Sequence, residues 1–332
     1  MLELFDVDII EDELLQLEKH ILDILLFDRS TRKNIIWAVD DYTALREGYR
    51  REAEIRAELI TGDSTLLIQP RTAKTLEEQK TRVRDRAEVF TPAWVCNQQN
   101  NLIDEAWFGR KDVFNVSFGT EWEPTGEPVV FPGKGLRTWK RYVDAKRLEI
   151  ACGEAPYLVS RYDATNGTMI PLDRRIGLLD RKLRVVNENT ASREEWTAWA
   201  VRAVQSVYGY EFQGDSLLLA RENVFISFLE YYHQRFHDLP DRKTMEQLAR
   251  IISWNLWQMD AMKCVAPFTC KPVVEEDTVF SGVFTSEWPC PGCQNNDVRK
   301  HTGVYCRIMD WRAKRSVRYL DLMRGGKKHD RV

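Results

Sequence analysis

No apolar stretch in this chain approaches the roughly 20 residues that a membrane-spanning helix requires, so no membrane partner is expected. The first twenty residues, MLELFDVDIIEDELLQLEKH, lack the basic-then-apolar layout of a secretory signal, and a cytoplasmic location is expected. Positive charge is not in excess either. Across 332 residues, 48 Lys and Arg face 51 Asp and Glu, a formal net charge of −3. Binding to nucleic acid by bulk charge is thereby excluded, and any contact with DNA has to use a local patch. The seven cysteines are an odd number, which in a reducing compartment argues against a disulfide framework and for buried thiols or a metal site. Internal repeats and low-complexity tracts are also absent.

What is present is the composition of a soluble globular protein with a core, 43% hydrophobic and 30% charged, and an order of elements that reads as α/β. Residues 11 to 27 carry Leu14, Leu15, Leu17, Ile21, Leu22, Ile24, Leu25 and Leu26 on one broad apolar face, which predicts helix. Residues 43 to 60 alternate in charge at helical spacing, which predicts a solvated helix. From Lys74 to Arg86 the chain is locally basic, and reads as an exposed helix or linker or, more sharply, a phosphate-contacting arm. Residues 110 to 140, rich in Pro and Gly, read as loop. After it, residues 147 to 151, 205 to 211 and 255 to 260 read as short strands, with helices expected over 216 to 236 and 245 to 252. Strand, helix, strand, helix, strand is the pattern of a parallel sheet.

In such sheets ligands bind beyond the carboxyl ends of the strands. Strand one ends in Glu149-Ile-Ala-Cys-Gly153, where Gly153 allows close backbone approach and a helix starting nearby would offer free N–H groups. Strand two ends in Glu211, an acid placed to accept from a ribose diol. Strand three ends in Asp260, placed to accept from an exocyclic amine. The bland alternatives are concrete too: Phe90 as core, Pro92 as a helix start, Cys152 as a small buried thiol.

These residues carry a family resemblance. Arg86-Ala-Glu-Val-Phe-Thr-Pro92 resembles the segment before the first strand of N6-adenine DNA methyltransferases of the γ order. Glu149-Ile-Ala-Cys-Gly153 with Tyr157-Leu158 resembles their motif I. Tyr208-Gly-Tyr-Glu211 with Leu219-Ala-Arg-Glu-Asn223, and Trp254-Asn-Leu-Trp-Gln-Met-Asp260, are similar to the second- and third-strand motifs. Over about residues 25 to 320 the chain resembles bacterial methylation (M) subunits of restriction–modification systems. The resemblance implies S-adenosylmethionine as methyl donor and adenine in DNA as acceptor. By position, Phe90, Thr91, Pro92, Glu149, Ala151, Cys152 and Gly153 would surround the methionine part, Glu211 the ribose hydroxyls and Asp260 the cofactor's adenine amine. Two features depart from it. Glu154-Ala-Pro156 stands where motif I continues Gly-x-Gly-Gly, and Pro156 removes one N–H. The Asn/Asp-Pro-Pro-aromatic motif that holds a flipped adenine is not found, since no Pro-Pro pair occurs in the chain. The nearest segment, Ser286-Glu-Trp-Pro-Cys290, has an aromatic and one proline in the wrong order. No catalytic residue is therefore assigned, and three outcomes are open for the remaining strands of the sheet: another polypeptide supplies them, the C-terminal segment closes the sheet differently, or the chemistry has been lost.

The C-terminal region carries a separate signal. Cys290-Pro-Gly-Cys293 is a CxxC knuckle followed by His301 and Cys306, a donor set for tetrahedral zinc, with Cys264 and Cys270 as further candidate ligands. Around it Arg299, Lys300, Arg307, Arg312, Lys314 and Arg315 interleave with Tyr305, Trp311 and Tyr319, the one basic and aromatic region of the chain. The expected organisation is a helical N-terminal domain over 1–80, a Rossmann-like methyltransferase domain over 81–265 and a Cys-rich, basic segment over 266–332. The leading expectation is a DNA methylation subunit of a restriction–modification or phage-defence system. The alternatives are a non-catalytic subunit binding DNA or a partner, and half of a split methyltransferase completed by a chain that supplies the missing motif.

Overall fold

The structure, a computed structural model, describes residues 11–18, 20–45, 47–75, 80, 82–84, 91–131, 138–279 and 282–323. The chain opens with α1 (Glu11–Leu17) and α2 (Ile21–Leu26), then a small antiparallel pair, β1 (Phe27–Asp28) and β2 (Lys33–Asn34). After α3 (Ala93–Phe108) comes a hairpin of β3 (Asn115–Phe118) and β4 (Glu121–Pro124). Then follow α4 (Trp139–Asp144), β5 (Arg147–Ile150), α5 (Leu178–Asn189), α6 (Arg193–Val204), β6 (Val207–Glu211), α7 (Gly214–Phe236), α8 (Arg242–Asn255) and β7 (Leu256–Gln258). The last part holds β8 (Val273–Val279), β9 (Gly282–Trp288), α9 (Pro291–Asn295), β10 (Arg307–Asp310), β11 (Arg315–Arg318) and α10 (Tyr319–Leu322).

The helix boundaries follow local chemistry. Ser192 and Asp241 cap α6 and α8, their side chains accepting from the N–H of Glu195 and Thr244 at 3.1 and 2.7 Å. Gly109, at φ 73°, ends α3 and donates its N–H to the Glu105 carbonyl. The charged segment 43–60 is not the helix its alternation predicts. It forms short 3₁₀ turns at Glu47–Tyr49 and Ala57–Leu59, because Trp37, Tyr49, Ile55 and Ile60 turn inward and draw the backbone against the core. The Pro- and Gly-rich stretch holds the β3–β4 hairpin where a loop is expected.

β5, β6 and β7 form a parallel sheet in that order, with Arg147 opposite Val207 and Gly209 opposite Leu256. Because side chains alternate across a strand, the sheet has two unlike faces. On one, Val207 and Leu256 join the main core under the helices. The centre of that layer is α7, buried from Gly214 to Tyr232, with its Asp215, Arg221, Asn223 and Glu230 bonded to partners inside. On the other face, Tyr208 and Trp257 pack with Met259, Cys264, Cys306, Ile308 and Leu320 in a second, smaller core. Neither core stops at residue 80 or 265: Leu14, Trp37 and Ile68 share the main core with Phe225 and Leu256. At the edge, Leu148 and Ile150 of β5 stay 45% and 65% exposed, and no strand among the described residues pairs with the outer side of β5.

Buried polar groups stitch the layers together. Arg221 on α7 donates from Nε and Nη2 to the Leu256 carbonyl at 2.9 and 2.7 Å, and from Nη1 to the carbonyls of Leu25 and Phe27. The Gln258 amide accepts from the Ile36 N–H and donates to the Ile36 carbonyl. Gly214 lies so close to that carbonyl that a Cβ would stand 2.0 Å from its oxygen. Lys74 and Arg82 of the basic stretch also turn inward, 3.8 and 2.9 Å from the buried Asp215 carboxylate. Burial would raise that carboxyl, but the Arg82 and Lys74 charges hold it well below the usual range. Replacing Arg221 with Met orphans three buried carbonyls. It is expected to cost at least about 2 kcal/mol in denaturant-monitored unfolding, with the loss not restored by Lys.

Candidate functional site

The three strand ends lie side by side, and two of their acids, Glu149 and Glu211, are buried. Glu211 accepts from the Gly153 N–H on one oxygen (2.9 Å) and from the N–H groups of Phe212 (2.8 Å) and Gln213 (3.2 Å) on the other. Glu149 accepts from the N–H groups of Tyr157 (3.2 Å) and Leu158 (3.1 Å). The Ala155 N–H goes to the Cys152 carbonyl and the Cys152 N–H to the Tyr210 carbonyl. No helix starts beside Gly153 to offer free donors; the chain runs through turns, and the next α-helix begins at Leu178. The turn is strained, with Ala151, Gly153 and Ala155 at φ 47°, 51° and 65°. Asp260 lies just past β7, accepting from the Met262 N–H at 3.1 Å and pairing with Lys263 at 3.0 Å.

The remaining residues of this set have plain structural roles in view. Pro92 precedes α3 as its N-cap, Thr91 offers its carbonyl to the Cys96 thiol, and Cys152 is a buried thiol whose acidity burial suppresses. Phe90 lies outside the described residues. Burial raises the Glu211 carboxyl and pushes Glu149 up to about 8.

The C-terminal cluster is built differently. Cys270 precedes β8, and Cys290 follows β9. Their antiparallel pairing, from Val273 with Trp288 to Val279 with Gly282, brings the two thiols together from positions twenty residues apart. Cys290 and Cys293 flank the first turn of α9, where a Cβ on Gly292 would lie 2.5 Å from the His301 backbone nitrogen, so only glycine lets the imidazole fold over the knuckle. His301 Nδ1 faces Cys270, Cys290 and Cys293 Sγ at 3.6, 3.7 and 3.6 Å. All four ligand atoms lie within 4.8 Å of one another, and the group could hold a metal ion. Burial, reinforced by the thiols of Cys293 and Cys290, pushes Cys270 up to about 12. Cys290 is opposed by burial too, yet the Thr302 hydroxyl and N–H draw it down to about 5. Three thiols this close cannot all ionise without a cation among them.

Cys306 is not a member of this set; Cys270 takes its place. Cys306 is fully buried in the second core, its thiol donating to the Gln258 carbonyl at 3.3 Å, and Cys264 is buried beside it. CxxC spacing identifies one pair from sequence, but Cys270 joins only through the hairpin. The Thr278-Val279-Phe280 and Val283-Phe284-Thr285 runs on either side of Ser281-Gly282 were the signals for that hairpin.

No family model, curated protein or solved structure matches the chain. Its chemistry therefore rests on the residues themselves. Among the described residues no helix is long and apolar enough to cross a membrane.

Two outcomes test this geometry. The purified chain is expected to carry a metal ion by elemental analysis, with Cys270→Ser losing it and Cys306→Ser keeping it. Glu149 binds a proton in the folded state up to about pH 8, whereas the unfolded carboxyl releases it near 4.5. Stability at this site is therefore full at low pH and falls as pH rises between those values, by up to about 1.4 kcal/mol per unit. The pH slope of unfolding free energy over this range is expected to be shallower in Glu149→Gln.

Proposed function

We propose that the chain is a methylation-type subunit of a DNA restriction–modification or phage-defence assembly, acting as a binding subunit and half-sheet that another polypeptide completes. The observation that carries this reading is the outer edge of β5. It is unpaired among the described residues, and Leu148 and Ile150, which stand on the sheet face of Tyr208 and Trp257, are left open to solvent there, although the faces of parallel strands are ordinarily covered. Without the Asn/Asp-Pro-Pro-aromatic motif, the chain holds no group to position a flipped adenine, so the partner would have to bring it.

S-adenosylmethionine, the donor the resemblance implies, does not fit the strand-end loop as folded. The Gly153 N–H is spent on Glu211, and that carboxylate, which would have held the ribose, has three of its roughly four acceptor positions filled by backbone. One observation favours a second reading, donor binding after a rearrangement: the left-handed strain at Ala151 and Ala155.

The Cys270, Cys290, Cys293 and His301 cluster is assigned to zinc. Tetrahedral Zn²⁺, with Zn–S near 2.3 Å and Zn–N near 2.0–2.1 Å, has a sulfur–nitrogen edge of about 3.5–3.6 Å. The three such edges here measure 3.6, 3.7 and 3.6 Å. Four protein ligands leave no open position, so the ion's part is structural.

Titration calorimetry of the purified, metal-loaded chain with S-adenosylmethionine separates the readings. No binding is expected from the chain alone. Micromolar binding abolished by Glu211→Ala or Asp260→Ala would overturn the binding-subunit reading and return the chain to the donor-using methyltransferases. Ile150→Asp is expected to change stability by less than about 0.5 kcal/mol, as befits a face left open for a partner; a cost above about 2 kcal/mol would mean the free chain covers it.

A further inference from the structure

A groove of about 560 Å³ lies between α4, α6 and the turn joining β10 to β11, at the amino end of β5 and away from the strand-end acids. Ala198 and Trp199 of α6 form one wall, and Lys140 and Arg141 of α4 the other. Trp139 meets Trp199 edge to face at 4.9 Å, and the Lys140 ammonium sits 5.3 Å from both ring centres. The one carboxylate in the lining, Asp144, is held between Arg202 and Arg312. Among the described residues neither Lys140 nor Arg141 has a carboxylate partner.

The positive surface continues past the groove. Lys314 and Arg315 stand exposed on the same hairpin, and Lys146 is exposed just before β5. Asp310 lies among them, its carboxyl held low by the Ala313 N–H and by the charges of Lys146 and Arg315. In a chain of net charge −3, cations from three separate segments are thus gathered on one side, around two indoles.

We infer that this groove binds single-stranded DNA, its phosphates tracking Arg141, Lys140 and the β10–β11 turn and a base packing against Trp199. Cations set beside aromatic walls suit a flexible strand with unstacked bases, whereas a duplex presents only its phosphates and is too broad to enter between two helices. The inference shares its partner, DNA, with the proposed function but none of its residues, so it stands or falls separately from donor binding.

Fluorescence anisotropy with a labelled 20-nucleotide oligothymidine, and with a duplex of the same length, tests it between 50 and 200 mM salt. The full chain is expected to bind the single strand more tightly than the duplex, with affinity falling as salt rises. The double variant Arg141→Glu, Arg315→Glu is expected to bind at least tenfold more weakly, with a log–log salt slope shallower by about 0.7 per lost phosphate contact. Lys33→Glu with Lys243→Glu makes the same charge change on other surfaces and should shift affinity less than threefold. All four positions are solvent-facing, and matched thermal melts verify folding. Absence of salt-dependent binding, unchanged affinity in the groove variant, an equal loss in the control variant, or a duplex bound as tightly as the single strand would each overturn the inference.

Discussion

A parallel sheet has two apolar faces, and both have to be kept from water. Here the helical layer meets that demand on one side with α7 at its centre. On the other side, Tyr208 and Trp257 are covered by the segment after β7, which is too short to build a substantial core of its own. That segment holds its shape by other means. Its backbone is tied across by bonds from Cys306 to Cys264 and from Ala266 to Val304. Trp311 reaches through to Asn255, the Tyr208 hydroxyl bonds the Met309 carbonyl, and at the far end Cys270, Cys290, Cys293 and His301 gather in a group that could hold a metal ion. A metal there would stand in for missing core, as it commonly does in small modules.

The legibility of the sequence tracked how local each determinant was. The three strands, the long α7 and the helix before β7 are written in periodicity and are found within a few residues of their expected limits. The segment from 43 to 60 misled because charge alternation describes the exposed side chains, while its conformation is set by the few residues, Tyr49, Ile55 and Ile60, that anchor it inward. Lys74 and Arg82 look like a surface arm in sequence, and only tertiary structure supplies the buried Asp215 that claims them. The metal cluster was half visible for the same reason. Cys290, Cys293 and His301 are near neighbours, whereas Cys270 arrives by strand pairing, and Cys306, closer in sequence, is carried off into the core behind β7.

The strand-end acids show how one residue pattern serves two kinds of chemistry. Carboxylates at the carboxyl ends of parallel strands can face a ligand or can gather the loose N–H groups of the turns around them. In this chain Glu149 and Glu211 do the latter, each bonding backbone on a neighbouring turn, and both are lifted in acidity range by burial. Their presence in a motif therefore carries less information about ligands than their orientation does.

Cys270 and Cys290 bracket the hairpin of β8 and β9, so both of its ends meet at one cluster. A segment whose ends are held together can change in length at low entropic cost, since loop closure varies slowly with the number of residues enclosed. The hairpin is consequently the part of this chain where evolution or an engineer could graft a longer arm, a reporter or a new recognition loop while the two cores stay as they are.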